Sequence, residues 1–98
     1  MLVLLSKASG AATAEFVVGE LSTIRKSIPV TLFLIGNVAA NKAVTVEYNS
    51  EGTTWVQCKV DGVLYQLDAD TNILSLYAPG NYRVSRAADA GDVGVLIA

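Results

Sequence analysis

The sequence predicts an all-β domain, and three observations support that prediction. Apolar and polar residues alternate with a period of two from Ala43 onward, turn signals recur about every ten residues, and no segment carries a sustained helical period. This spacing is typical of a β-sandwich of about eight short antiparallel strands. Jelly-roll and immunoglobulin-like sandwiches share these strand signals, so the sequence leaves both arrangements open.

The second half of the chain supplies most of the predicted strands, and a turn signal separates each from the next. These strands cover residues 44–49, 54–60, 63–67, 73–77, 82–86 and 93–97. Asp61-Gly62 predicts a tight hairpin because glycine readily accepts positive φ. The other predicted connections are Ser50-Glu51-Gly52, Asp68–Asn72, Ala78-Pro79-Gly80-Asn81 and Ala87–Gly91.

The first forty residues give a weaker pattern. Their predicted strands are Met1–Leu5, Glu15–Val18 and Val30–Ile35. The small and polar stretch Ser6–Thr13 is expected to be a loop or an arm. Leu21–Ser27 has room for a single helical turn, although no longer helical period supports one.

Length and composition predict a single domain, residues 1–98, with apolar surface to spare. The chain is 52% hydrophobic and only 16% charged, which is more apolar material than one small core hides. The surplus is expected to face another subunit or another protein. A net charge of -2 argues against a nucleic-acid partner, and no stretch reaches the ~20 apolar residues that would predict a membrane span.

The residue types present restrict the chemistry that the chain can perform. There is no histidine, which excludes Ser-His-Asp and Cys-His catalysis. A single cysteine supplies neither a disulfide nor a tetrahedral zinc site, and no glycine-rich phosphate loop joins a strand to a helix. The sequence therefore predicts a protein that is not an enzyme and that has no catalytic residues, no metal and no cofactor.

Two features nonetheless have a functional interpretation beside a structural one. Cys58 is expected to be a small buried hydrophobe rather than a nucleophile, since no base lies near it in the sequence. Asp68, Asp70 and Asn72 match the opening of an EF-hand loop, but Ile73 replaces the required glycine. A solvated loop between strands is the preferred interpretation, and binding of a cation there is left open.

Acidic and aromatic side chains also raise the question of sugar chemistry. A glycosidase needs a carboxylate pair, but the candidate aspartates all occupy turn positions, where they serve local hydrogen bonds. Those candidates are Asp61, Asp68, Asp70, Asp89 and Asp92. Aromatic residues that could form a sugar platform are Trp55, Tyr65, Tyr77 and Tyr82, although such residues in strands more often serve the core or subunit contacts. Residues 49–55 also fail the spacing of a sialidase Asp box, which leaves a turn between two strands.

Several short motifs make the chain resemble small structural proteins of bacteriophage virions. The most distinctive are A-P-G-N-Y-R-V (Ala78–Val84) and the closing V-G-V (Val93–Val95). V-T-V-E-Y, G-T-T-W, the D-G hairpin and the S-G-A-A-T-A run at Ser9–Ala14 are also similar. The resemblance covers most of the chain, but its motifs are short and structural.

The resemblance implies a capsid decoration (cement) protein that binds the major capsid protein of a phage and stabilises the shell. It implies a homo-oligomer, a trimer or a dimer, carried in the virion and assembled in the host cytoplasm. Residues 1–13 are the expected strand or arm for oligomerisation or capsid contact. Expected interface residues are Leu2, Val3, Leu4, Leu5, Arg83 and Arg86. The alternative is a carbohydrate-binding or structural module of a phage tail or fibre.

Overall fold

The computed structural model describes residues 1–21, 26–27, 29–49 and 52–98, and within these ranges the chain forms strands and no helix. The all-β prediction is confirmed. The longer strands are β1 (Leu2–Ala8), β2 (Ala12–Val18), β5 (Val30–Gly36), β6 (Val44–Asn49), β11 (Ile73–Leu76), β12 (Gly80–Arg86) and β13 (Val93–Ile97). Two-residue strands are β3 (Glu20–Leu21), β4 (Lys26–Ser27), β7 (Val56–Gln57), β8 (Lys59–Val60), β9 (Val63–Leu64) and β10 (Gln66–Leu67).

The longer strands, together with the short β7 and β10, form two antiparallel sheets. Sheet A has the order β1-β13-β5-β11. Sheet B has the order β2-β12-β6-β10, and β7 also pairs with β6. Two small ladders, β3 with β4 and β8 with β9, lie outside these sheets.

The strands pair in a nested antiparallel order along the chain. β1 pairs with β13, β2 with β12, β5 with β11, and β6 with β10, so early strands pair with late ones in nested order. This is the strand order of a jelly roll. An immunoglobulin-like domain would place its first two strands side by side in one sheet, whereas β1 and β2 lie in different sheets here.

Both sheets contribute to one buried cluster. Alternation along the strands explains the contribution of sheet B: Val84 pairs with Val46, and all three of Val44, Val46 and Val84 are fully buried. Sheet A adds Leu5, Leu32, Leu76, Val93 and Val95. Full burial of each valine or leucine contributes about 1.5–3 kcal/mol, so this cluster is the main source of stability.

Strand β1 reaches its place at the edge of sheet A through two bulges. Its pairing with β13 shifts between Val3 and Leu5 and again between Leu5 and Ala8, each time with one extra residue on β1. Opposite the second bulge is Gly94, where a Cβ would lie 2.5 Å from the Leu5 carbonyl oxygen and 2.6 Å from the Lys7 nitrogen. Only glycine therefore allows β1 to lie this close to β13.

A hairpin leaves the edge of sheet B at Cys58 and returns at Tyr65. The Cys58 N–H donates to Val46, Tyr65 donates to Cys58, and Val46 donates to Tyr65, so three chain segments meet at one point. Between them β8 and β9 pair with each other around Asp61-Gly62, whose φ values of 54° and 80° fit the predicted tight turn. The predicted strands 54–60 and 63–67 are therefore each divided in two.

Three other local predictions differ from the structure or lie partly outside the described residues. The predicted loop or arm Ser6–Thr13 is mostly strand, because β1 continues to Ala8 and β2 begins at Ala12. The helical turn considered for Leu21–Ser27 lies partly outside the described residues, and its described ends pair as β3 and β4. The turn predicted at Ser50-Glu51-Gly52 also lies outside them except for Gly52, whose N–H donates to the Asn49 Oδ1 at 2.6 Å.

No helix in the described part of the chain is long and apolar enough to cross a membrane.

Candidate binding surfaces

The outer edge of β1 is an exposed apolar strand. Leu2 and Val3 are 74% and 61% exposed, Leu4 is half-buried, and Leu5 is buried in the core. Of the four predicted interface leucines and valines, only Leu2 and Val3 therefore present most of their side chains to solvent. On its other side β1 pairs with β13 of the same chain, so it is an integral strand rather than a detached arm.

Arg86 points into the protein, although it was predicted as an interface residue. It is 6% exposed, and its guanidinium donates to three backbone carbonyls rather than to a carboxylate. Its Nε lies 2.6 Å from the Gly10 oxygen, and its Nη1 lies 2.9 Å from the Ser6 oxygen and 2.8 Å from the Val93 oxygen. Arg86 thus ties β12 of sheet B to β1, to β13 and to the turn before β2, and it is not exposed on the surface of the chain.

Arg83 points the opposite way and lies on the outer face of sheet B, as its opposite parity predicts. Its Nε and Nη2 donate to the two carboxylate oxygens of Glu47 at 2.9 and 3.3 Å, and Ser85 Oγ donates to Glu47 at 2.8 Å. The Arg83 Cζ also lies 4.7 Å from the centroid of the Trp55 ring. The hydrogen bond from Arg83 is the main reason that the pKa of Glu47 lies below its usual value of 4.5.

A shallow depression of about 330 Å³ lies beside this ion pair on sheet B. Its polar lining comes from Glu15 on β2, Asn81 on β12 and Asn49 on β6, and its aromatic wall includes Trp55. The register explains the grouping, because Asn81 pairs with Asn49 on one side and with Val17 on the other. Glu15 follows on the same outward face, two residues from Val17. We call this the Trp55 depression.

A separate groove of about 500 Å³ lies between the β8–β9 hairpin and the turn from β11 to β12. All four tyrosines of the chain line it: Tyr48, Tyr65, Tyr77 and Tyr82. Tyr82 is buried, donates its hydroxyl to the Ala78 oxygen at 2.8 Å and stacks on Phe16. Tyr77 is the most exposed of the four. Trp55 does not line this tyrosine groove, whereas Tyr82 borders both the groove and the Trp55 depression, so the aromatic residues considered as a sugar platform do not form a single surface.

Cys58 is buried, as predicted, at the point where the hairpin leaves sheet B. Burial, with a smaller effect of the Glu47 charge, raises the pKa of its thiol to about 11. Cys58 is therefore a protonated thiol at neutral pH and a poor nucleophile. Its neighbours Val56 and Val60 are exposed, because the strand is interrupted at Cys58 and does not keep one face throughout.

Aspartates at the connections make local contacts. Asp68 Oδ1 accepts the N–H groups of Asp70 and Thr71 at 2.9 and 2.8 Å, and its Oδ2 accepts from Gln66 at 3.1 Å. This Asx-type arrangement closes the loop before β11. Asp89 pairs with Lys42 at 2.8 Å, and that contact lowers its pKa. Among the described residues, no group of three or more His, Cys, Asp or Glu is arranged to hold a metal ion.

Sequence reasoning missed Glu15, Asn49 and Asn81 as members of one surface. They come from strands far apart in the sequence, and only the nested pairing of β2, β12 and β6 brings them together. The sequence offered only one signal for this surface, the alternation of faces along each strand, which places Asn49 on the face opposite Val44 and Val46. Alternation shows which side chains of a strand share a face, but it does not show which other strands lie beside that strand.

Comparisons with protein-family models, with curated proteins and with solved structures found no match.

Replacing Arg86 with methionine should reduce the free energy of unfolding by about 3 kcal/mol, because three carbonyls lose their buried donor. Chemical denaturation with urea measures this loss. Arg83→Met is the matched control, since Arg83 is on the same strand but partly exposed, and it should lose about 1 kcal/mol or less. Equal losses for the two variants would contradict the role given to Arg86.

The Glu47–Arg83 pair should stabilise the fold only above acidic pH. Because the folded pKa of Glu47 is depressed, its contribution is fully present above the unfolded value and disappears as pH falls through the folded value. Glu47→Gln should therefore cost about 1 kcal/mol at pH 7 and progressively less below about pH 4.5. Urea denaturation of both proteins between pH 7 and 3 measures the gap. A stability difference between the wild type and Glu47→Gln that does not change with pH would contradict this prediction. So would an equally large effect of Glu47→Gln in the Arg83→Met background.

Proposed function

We propose that the chain is a non-enzymatic structural protein of a phage virion, a capsid decoration (cement) protein that binds the major capsid protein. The observation that supports this proposal best is the open β1 edge, where exposed Leu2 and Val3 border a strand with no partner on its outer side among the described residues. An edge of this kind pairs readily with a strand from another chain. The alternative module of a tail or fibre would use the same scaffold.

Two further features support a role in binding. The chain resembles phage virion proteins through the A-P-G-N-Y-R-V motif, which forms the turn into β12 and most of that strand. The jelly-roll strand order is one that viral capsid domains use. A cement protein acts through many copies on a symmetric shell, so weak contacts add up by avidity.

The β1 edge serves either of two partners in this proposal. A strand of the major capsid protein adds to β1 on the shell, or another copy of the chain does so: β1 pairs with β1 in a dimer, or with a different edge strand of the next copy in a trimer. Either partner would bond to the same backbone groups of β1, so binding of either partner depends on Leu2 and Val3. Removing residues 1–13 is not a clean test, because Leu5 belongs to the core and the Ser6 and Gly10 carbonyls bind Arg86.

The variant Leu2→Lys/Val3→Lys should bind capsids at least about tenfold more weakly than the wild type, because lysines on an edge strand oppose strand addition. Co-sedimentation with capsids of the phage that encodes the chain measures binding, and light scattering measures the oligomeric state. Both positions are exposed, so thermal unfolding should change little.

The matched control is Val17→Lys/Val63→Lys, which adds the same two charges at positions that are 66% and 67% exposed. It should bind capsids as the wild type does. Failure of the wild-type chain to sediment with capsids would reject the cement proposal. Loss of binding in a Tyr77→Lys variant, with Leu2→Lys/Val3→Lys unaffected, would place the contact at the tyrosine groove instead.

A further inference from the structure

We infer that the Trp55 depression is a subsite for a neutral sugar. Its geometry combines the partly exposed ring of Trp55, beside the buried Phe16 and Tyr82, with three polar side chains from strands β2, β6 and β12, in a concavity of about 330 Å³. Binding sites for small ligands typically place a few polar groups around an apolar surface in this way. This inference is independent of the capsid contact, since β1 does not line the depression.

The Trp55 ring is held in position by the ion pair beneath it. Arg83 stacks on the ring at 4.7 Å while donating two hydrogen bonds to Glu47, and Ser85 fixes Glu47 in turn. A ring that is already immobilised loses little conformational entropy when a ligand stacks on it. The C–H face of a pyranose ring is a suitable apolar partner for such an aromatic surface.

The polar side chains around Trp55 have hydrogen-bonding capacity left for hydroxyl groups. Asn49 uses its Oδ1 for the Gly52 N–H, which leaves its amide group as a donor. Glu15 and Asn81 make no side-chain hydrogen bond to another described residue, so a carboxylate acceptor and a second amide also face the ligand. Hydroxyl groups, which both donate and accept, match this mixture.

The charge around the depression favours a neutral ligand. Glu15 and Glu47 are acidic and Arg83 is basic, which leaves one net negative charge among these described residues. An anionic sugar or a phosphate would be repelled by that charge. A cation is also disfavoured at the ring, because the Arg83 guanidinium already stacks on Trp55. The tyrosine groove contains no carboxylate or amide side chain in its lining and is a poorer match for hydroxyl groups.

Trp55 is the single tryptophan of the chain, so its fluorescence reports on this depression alone. The probes are maltohexaose, cellotetraose and N,N′,N″-triacetylchitotriose as neutral glycans, with 3′-sialyllactose and tetramethylammonium chloride as charged comparisons. At least one neutral glycan should give a saturable change in fluorescence. The same glycan should shift backbone amide signals of β2, β6 and β12 in two-dimensional NMR spectra.

Asn81→Ala and Glu15→Ala should each weaken that binding about tenfold, the effect of leaving one hydrogen bond to the ligand unmade. Both residues are exposed, and circular dichroism checks that each variant keeps its fold. Tyr77→Ala alters only the tyrosine groove and should bind the glycan as the wild type does.

The inference is overturned if neither fluorescence nor NMR responds to any neutral glycan up to about 50 mM, well above the millimolar Kd expected for one stacked ring. Binding of the sialylated sugar or of tetramethylammonium alone would also overturn it, as would binding lost in Tyr77→Ala and retained in Asn81→Ala. Capsid binding by a chain that binds no glycan would leave the proposed function intact, so the two proposals fail separately.

Discussion

The structure depends on the position of Arg86, a charged side chain enclosed by backbone carbonyls from three places in the chain. Arg86 lies on β12 of sheet B, and its partners Ser6, Gly10 and Val93 belong to β1, to the turn that follows and to β13. The second bulge of β1 lies at this point, where the regular ladder with β13 is interrupted. Arginine offers several donors in a fixed planar arrangement, which suits a cluster of carbonyls from separate chain segments.

This internal contact has a consequence for the outside of the molecule. By holding β1 against β13 through its bulged region, Arg86 fixes β1 at the edge of sheet A, with its N-terminal residues exposed. The two binding surfaces that we propose then lie on different elements. The β1 edge offers backbone groups and apolar side chains to another strand, whereas the Trp55 depression offers an aromatic ring and polar groups on the outer face of sheet B. In these two proposals the protein partner and the sugar bind different elements and do not compete for the same residues.

The sequence was sufficient wherever the structure follows from local chemistry. Alternation placed Arg83 and Arg86 on opposite faces of their strand, Asp61-Gly62 predicted its hairpin, and the last strand was predicted with its observed bounds, Val93–Ile97. The failures concern tertiary contacts. Arg86 was expected to pair, if at all, with an acidic neighbour at an interface, whereas in the structure it donates to backbone carbonyls inside the chain. The choice between jelly-roll and immunoglobulin-like order depended on which distant strands pair, and the grouping of Glu15, Asn49 and Asn81 required the same information.

We propose that the outer edge of β1 is open in the isolated chain and becomes paired on the shell. Residue-resolved hydrogen exchange of the β1 amides, measured with and without capsids, tests this claim most directly. We expect the β1 amides that do not bond to β13 to exchange rapidly in the free, monomeric chain and to become protected on capsids, with no comparable change along the tyrosine groove. Slow exchange of every β1 amide in the free monomer, or new protection confined to the tyrosine groove, would contradict it.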